Sequence, residues 1–133
     1  MTEYVSHQVA INKPDSLIYN TLSNFDNFTP ILKDKVEGWM ATEDTCSFSM
    51  KGLTLKLKML EREPSKVIKI SGDQMPFEFY FWIQLHSVSE LDTRVRITVH
   101  AKLNAMLKLM IGSKLEKAVN EMADQIAKSF NSI

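Results

Sequence analysis

Hydrophobic and polar residues change their spacing three times along the chain, and these changes divide it into predicted elements. Residues 4–12 alternate in polarity, which predicts a strand with one apolar face. Helical spacing follows over about 14–23, where Pro14 suits the first turn of a helix. A second, short helix is predicted through Ile31 and Leu32.

Period-two alternation occupies the middle of the chain, from Val36 to Leu103. Polar or glycine-containing breaks divide this region into six strands, which predicts an antiparallel meander. The last segment, about 104–130, returns to helical spacing and predicts one long amphipathic helix. Its apolar stripe consists of Leu115, Val119, Met122, Ile126 and Phe130.

Turn lengths predict which side of each middle strand faces the core, because directly paired residues of antiparallel strands share a face. The predicted turns are 51–52, 64–65, 73–76 and 91–93. Each turn joins one apolar row to the next, whereas a slip of one residue would bury a row of charges. The resulting inward row contains Leu55, Leu57, Met59, Ile70, Phe79, Phe81, Ile83 and Ile97. Tyr80 and Trp82 are then expected on the outer face.

The first strand of the meander stays undecided. The turn near 43–44 has either two or three residues, so the sequence permits either Trp39 or Met40 to face inward. An inward Trp39 would shrink any cavity or supply a stacking wall.

The bulk properties of the sequence restrict the class of protein. At 133 residues the chain is expected to form a single domain, 1–133. Its 16 basic and 16 acidic residues are scattered and cancel, which argues against the basic footprint of a nucleic-acid-binding protein. The single cysteine, the absence of a signal-peptide pattern and the lack of an apolar run of about 20 residues predict a cytoplasmic protein with no integral membrane segment.

The order of one strand, two short helices, six strands and a long C-terminal helix resembles that of the helix-grip fold. The segments that carry the resemblance are VSHQVAINKPDSLIYNTLSN, EREPSKVIKI, LDTRVRITVH and KLEKAVNEMADQIAKSF. The chain is therefore similar to the START and Bet v 1-like (SRPBCC) superfamily, which also includes polyketide cyclases and coenzyme Q-binding proteins. The resemblance covers essentially the whole chain and depends on apolar spacing and turns, not on catalytic motifs.

The resemblance implies an α+β fold in which a strongly curved, seven-stranded antiparallel sheet wraps around the C-terminal helix. It also implies a deep apolar cavity between sheet and helix, where members of the superfamily bind lipids, sterols, polyketides, hormones or quinones. A minority of members are enzymes, and others act through protein contacts. The superfamily has no universal catalytic residues, so none is carried over to this sequence, and no cofactor is expected.

Few residues are candidates for chemistry. His7 shares the row of Val9 and is expected to point inward, where a neutral imidazole could act as a general base. Glu61 continues the inward row after Met59 and is the candidate partner of His7. Both are weak candidates, since a satisfied core histidine and a carboxylate at a strand end are the simpler explanations. Cys46 is expected to be an inert buried thiol.

The remaining histidines, His86 and His100, are expected on the outer face of adjacent strands, with His100 opposite Gln84. Two histidines without a third ligand make a weak metal site, so no metal is expected. Both are interpreted as surface residues.

Methionine is the residue type whose number stands out, with eight in the chain. Because methionine is flexible and polarizable, it either pads an irregular core or adapts to varied apolar ligands. Met106, Met110 and Met122 lie on the last helix and are included in the predicted ligand-binding set. The stretch 103–112 is apolar on almost all sides, which predicts that it is buried or, alternatively, that it forms a lid at the cavity mouth.

Three functions are compatible with these patterns. The leading one is binding or transport of a small hydrophobic molecule, such as a lipid, a quinone or a polyketide, between the sheet and the last helix. The second is a cyclase- or dehydratase-type enzyme, which requires His7 and Glu61 to converge. The third is a ligand-free interaction module or homodimer that uses Tyr80 and Trp82.

Overall fold

The computed structural model describes residues 1–50 and 53–133, and these form one eight-stranded antiparallel sheet and three α-helices. The strands are β1 (Thr2–Val5), β2 (Val9–Ile11), β3 (Glu37–Ala41), β4 (Thr45–Met50), β5 (Leu53–Glu63), β6 (Val67–Gly72), β7 (Phe79–Ser89) and β8 (Asp92–Ala101). The helices are α1 (Asp15–Leu22), α2 (Thr29–Leu32) and α3 (Ala105–Asn131), and a 3-10 turn spans Phe25–Phe28. The strand order is β1-β8-β7-β6-β5-β4-β3, and β2 extends the β1 edge by pairing with β8.

The predicted α+β helix-grip architecture is confirmed, with two corrections. The sheet is not strongly curled. Helix α3 packs mainly on β8, β2 and β1, at one side of the sheet, so the sheet does not wrap around it. The second correction concerns the predicted strand 4–12, which is divided into β1 and β2, so the sheet has eight strands and not seven.

The break between β1 and β2 is a one-residue insertion relative to β8. The chain advances three residues from Ser6 to Val9, while its partner strand advances two, from Ile97 to Val95. Such an insertion is a β-bulge. Because of it, the inward-facing residues have even numbers before the bulge, as Ser6 does, and odd numbers after it, as Val9 does. His7 lies in the bulge and is exposed, whereas Ser6 and Val9 are buried.

The middle strands confirm the predicted inward face, although most turns differ in length from the prediction. Strands β4 and β5 pair in the predicted register, and their connecting turn, 51–52, lies outside the described residues. Ile70 pairs with Phe81, a shift of two residues from the predicted partner, and Leu85 pairs with Val95, a shift of four. Because both shifts are even, the apolar rows stay on the same face.

The pairing of β5 with β6 contains a second bulge, next to Met59. Met59 pairs with Ile70 as predicted, but Arg62 pairs with Ile68 because the turn is one residue longer than expected. The bulge compensates for the longer turn, which keeps the isoleucines inward. It also moves Glu61 to the outer face, where it lies exposed.

The inward face is completely covered at one end, which we call the closed end. Its fully buried strand residues include Ile11, Ile68, Ile83, Val95 and Ile97, each with no more than 1% of its surface exposed. Helix α1 and the second half of α3 cover this end with buried side chains that include Ile18, Val119 and Ala123. Polar side chains also join α3 to this end, since the Asn131 amide donates to the carbonyl oxygen of Ala10 at 3.0 Å.

Candidate functional site

The opposite end of the inward face is apolar but incompletely covered, and we call it the open end. Here β8 finishes at Ala101, which pairs with Phe79, and α3 begins three residues after Lys102. The half-buried apolar residues of the open end are Trp39, Phe48, Leu55, Phe79, Leu107, Ile111 and Leu115. At this end, apolar side chains of the sheet and of the first half of α3 therefore remain partly in contact with water.

The wall of the open end at the β3 edge is formed by Trp39. Its ring lies 5.8 Å from that of Phe48, and its Nε1–H donates to Thr29 Oγ1 at 2.8 Å. The neighbouring Met40 is 70% exposed on the other face. A bulge in β3, which includes Gly38 at φ +64°, sets this orientation and answers the question that the sequence left open.

The loop between β6 and β7 folds over the sheet at the open end because the inward row lacks a side chain at Gly72. A Cβ atom at this position would lie 2.8 Å from Met75 Cγ and 2.9 Å from Phe79 Cδ1. Only glycine leaves room for both side chains, which pack directly on the backbone. Residues 73–78 therefore border the open end.

Helix α3 approaches β1 closely through Gly112. A Cβ atom at Gly112 would lie 3.3 Å from the hydroxyl oxygen of Tyr4. Tyr4 is half-buried and packs against the core. This contact fixes the distance between the first half of α3 and the sheet.

The first turns of α3 correct the prediction that the stretch 103–112 is buried. Met106 is 70% exposed, Leu109 is 87% exposed and Met110 is 61% exposed. The helix has the sheet on one side, so one stripe is covered, and it includes Leu107 and Ile111. The opposite side carries the exposed apolar residues.

The residues predicted to bind a ligand separate into two groups. The strand residues lie on the inward face, where Leu57, Met59, Ile70, Phe81, Ile83 and Ile97 are buried and Leu55 and Phe79 are half-buried. The helix residues Met106 and Met110 point away from the sheet, and Met122 is 38% exposed. The inward orientation of the strand residues is confirmed, whereas contact of any of these residues with a ligand stays a prediction.

The prediction that His7 points inward is wrong. The bulge turns its ring outward, where Nε2 lies 2.5 Å from Asp124 Oδ1. The backbone N–H of His7 donates to Asn120 Oδ1 at 2.8 Å, which ties the bulge to α3. His7 therefore joins β1 to the helix and does not face the core.

The prediction that Glu61 faces inward is also wrong, because of the bulge in β5. Glu61 pairs with Lys69, and this row continues across the sheet to Val5. Four strand spacings separate Glu61 from Val5, roughly 19 Å. His7 and Glu61 therefore do not converge, and the acid–base pair required by the enzyme hypothesis is not formed.

Arg62 is the residue that takes the inward position after the bulge, and sequence reasoning missed it. Its guanidinium donates to the carbonyl oxygen of Ser23 at 2.9 Å and to Asp44 Oδ1 at 2.7 Å. It thus connects β5 to the segment after α1 and to the β3–β4 turn. No sequence pattern reveals this role, because it depends on the exact turn length.

Two further predictions concern thiol and metal chemistry. Cys46 is buried as expected, and burial raises the pKa of its thiol to about 12. His86 and His100 lie on the outer face as expected, but His100 pairs with Tyr80 and not with Gln84. Within the described ranges, no group of three metal-ligating side chains is present.

A comparison with known protein families identifies the family of this chain. The model of the CoxG family, which is named for a subunit of carbon monoxide dehydrogenase, matches residues 40–133, more than half of the sequence. The chain belongs to the CoxG family. No curated protein matches it at a significant level.

Solved structures confirm the fold that the sequence resembles. The di-domain ARO/CYC protein BexL from the BE-7585A biosynthetic pathway is similar to the CoxG-family chain, with a TM-score of 0.74 and 16% identity over 96% of this chain and 46% of BexL. A START superfamily protein from Mycobacterium smegmatis has a TM-score of 0.69 and 13% identity over 98% of this chain and 97% of that one. The Aha1 dimer structure from Colwellia psychrerythraea has a TM-score of 0.64 and 20% identity over 98% and 97%. At sequence identities this low, the structural similarity shows a shared fold only. The chain spans less than half the length of BexL.

Tyr80 and Trp82 lie half-buried on the outer face of the CoxG-family sheet, as predicted. Lys69 Nζ lies over both rings, 5.1 Å from the centroid of Tyr80 and 5.3 Å from that of Trp82. The Tyr80 hydroxyl donates to Glu78 at 2.9 Å, and this bond raises the pKa of Tyr80. A homodimer through these rings stays a prediction.

In the part of the chain that the structure describes, no helix is both long and apolar enough to cross a bilayer.

Proposed function

We propose that the protein binds a small hydrophobic molecule at the open end, between the inward face of the sheet and the first half of α3. The observation that carries this proposal is the half-buried apolar surface formed by Leu55, Phe79, Ile111 and their neighbours. Apolar surface of this kind on both sides of a sheet–helix junction favours an apolar occupant. The fold and the CoxG family support the proposal, since this fold typically contains a hydrophobic ligand-binding cavity.

The polar groups on the inward face favour a ligand that is mainly hydrocarbon. The Ser6 hydroxyl accepts from the Ile97 N–H at 2.9 Å, and the Thr93 hydroxyl donates to the Lys13 carbonyl oxygen at 2.9 Å. The Trp39 indole donates to Thr29. Because these groups are already hydrogen-bonded within the protein, they offer a ligand little polar recognition. We therefore propose an acyl, isoprenoid or polyketide-like chain, such as that of a lipid or a quinone.

The first experiment is mass spectrometry of the purified protein, native and then denatured with organic extraction, to identify a co-purifying molecule. Binding is measured with NBD-labelled palmitate and by its displacement with decylubiquinone. In a series of unlabelled fatty acids, burial of each methylene at about 0.8 kcal/mol predicts about fourfold tighter binding per carbon until the tail reaches the closed end. Affinity that is independent of chain length would contradict insertion of the tail.

Neighbouring residues of β5 provide a matched pair of variants. Leu55→Trp places a large side chain into the open end, and Lys56→Trp makes the same change on the exposed outer face. We expect Leu55→Trp to weaken palmitate binding at least about tenfold, while Lys56→Trp leaves it unchanged. Circular dichroism confirms that both variants are folded. Equal affinity in both variants would place the ligand elsewhere.

The family description suggests a protein partner as well. The CoxG family is named for a subunit of carbon monoxide dehydrogenase, so we propose that enzyme as the first partner to test. Its co-elution with the present chain in size-exclusion chromatography, at matched concentrations, would support the assignment.

A further inference from the structure

A shallow groove runs along β8 on the outer face of the sheet, away from α3. Two adjoining pockets form it, with volumes of about 330 Å³ and 180 Å³. They share Gln84 and Arg96, so they are parts of one continuous surface. Its lining also includes Glu3, Val5, Trp82, Arg94, Thr98 and His100.

One half of the groove carries two apolar side chains, Val5 and Trp82, among polar ones. Thr98 forms its buried floor, and the exposed Val5 and the half-buried Trp82 stand on either side of it. The Trp82 ring is held at 4.7 Å from the His100 ring, and His100 in turn lies 2.6 Å from a carboxylate oxygen of Glu3. These contacts hold the Trp82 ring in place on its side of the groove.

The centre of the groove carries a cation with no acidic partner in the described residues. Arg94 is neutralised by Asp92, whose carboxylate oxygens lie 2.8 Å and 2.9 Å from its guanidinium. Arg96 is exposed and has no such ion pair in the described part of the chain. A guanidinium that is free to bond presents a planar fork of donors that matches a carboxylate.

The dimensions of the groove match an extended peptide. From Arg94 to His100 it follows six residues of one strand, which is about 20 Å. Thr98, which lies between Val5 and Trp82, and the cation at Arg96 are two residues apart on the same face, about 6.8 Å. Side chains on one face of an extended segment repeat at this same interval. An open surface of this length suits a peptide better than it suits a small molecule, which prefers an enclosed pocket.

We propose that this groove binds an extended, acidic segment of a partner protein. A carboxylate of the segment pairs with Arg96, and the next side chain on the same face packs between Val5 and Trp82. The site is separate from the open end, which lies on the other face of the sheet, so it does not depend on the proposed ligand.

The test uses amide chemical-shift titration of the whole protein with a short acetylated peptide in which glutamate and valine take turns at every second position, with serine between them, so that both residue types lie on one face of the extended chain. The controls are the same peptide with lysine in place of glutamate, and free glutarate as a small carboxylate. We expect the acidic peptide to shift the amides of β8 and β1, with little effect from the lysine peptide. Absence of these shifts at millimolar peptide, or binding of glutarate as tight as that of the peptide, would overturn the proposal.

Two variants that each remove one positive charge distinguish binding in the groove from general electrostatic attraction to the protein. Arg96→Gln removes the central cation, and Lys56→Gln removes an exposed cation of the same face outside the groove. We expect Arg96→Gln to weaken the acidic peptide about tenfold, and Lys56→Gln to weaken it less than about twofold. Equal effects would show non-specific attraction and would also overturn the proposal.

Discussion

Cys46 lies on the inward face of β4, opposite Leu57, and burial raises the pKa of its thiol from 9.0 to about 12. The cause is desolvation, because a thiolate loses its hydration in an apolar environment. The folded state therefore holds the proton more tightly than the unfolded state does. This effect leaves stability unchanged below pH 9 and lowers it progressively as the pH rises from 9 towards 12.

We expect Cys46 to be unreactive in the folded protein. At pH 8 the raised pKa lowers the thiolate fraction about a thousandfold relative to an unfolded chain, and burial slows the reaction further. The measurement is the rate of reaction with Ellman's reagent, with and without denaturant. A folded protein that reacts as fast as a free thiol would contradict the burial of Cys46.

At the scale of elements, helix α3 approaches β1 closely at Gly112, while its first turns expose apolar side chains to water. Its N-terminus is capped by Asn104, whose side chain accepts from the Leu107 N–H at 2.8 Å. Gly112 permits the contact with Tyr4, although glycine weakens a helix interior by about 1 kcal/mol relative to alanine. Packing against β1 therefore opposes helix propensity at this position.

We expect the effect of Gly112→Ala to depend on Tyr4. In a Tyr4→Phe background, where the hydroxyl is absent, the alanine should stabilise the protein by about 1 kcal/mol through helix propensity. With Tyr4 present, the 3.3 Å contact should offset most of this gain. Urea unfolding of the four proteins of this cycle measures the difference. Equal effects in both backgrounds would show that the hydroxyl does not limit the approach.

Leu107 and Leu109 provide a second test on the same helix. Leu107→Ser should lower the free energy of unfolding by about 1–2 kcal/mol, because it removes half-buried apolar surface. Leu109→Ser should change it by less than about 0.5 kcal/mol, since the side chain is 87% exposed. Urea unfolding measures both variants. A large loss in Leu109→Ser would mean that this side of α3 is covered in solution.

At the scale of the whole molecule, the two ends of the inward face differ in how completely they are packed. The closed end joins α1, β2 and the second half of α3 around fully buried residues such as Ile11 and Val119. The open end joins half-buried side chains to the loop 73–78. Fewer buried contacts give lower local stability.

We expect hydrogen exchange to distinguish the two ends. Amides of 105–111 and 73–78 should exchange faster than those of 117–127 and of the central strands β7 and β8. Saturating palmitate should slow exchange at the first two segments and leave the closed end nearly unchanged. Protection confined to the closed end, or to the outer face, would contradict ligand binding at the open end.

The sequence by itself determined the order of elements, the inward face of the central strands and the superfamily. These follow from apolar spacing, and spacing survives errors in turn length when the error is an even number of residues, as at Ile70 and Leu85. Cys46 and Trp82 were placed correctly for this reason. The long amphipathic helix was equally clear, because its stripe continues over many turns.

Only the tertiary structure decided which residues surround the candidate site. One extra residue near His7 and another near Glu61 reversed the facing of both side chains, and bulges leave no reliable trace in a single sequence. The exposure of one side of α3 could not be predicted from the sequence either, since an apolar stretch does not indicate how many of its sides are covered. The local pattern of apolar residues shows which side chains of a regular strand segment share a face. Pairing with neighbouring strands determines where bulges interrupt that segment, and a bulge reverses the facing of the residues beyond it.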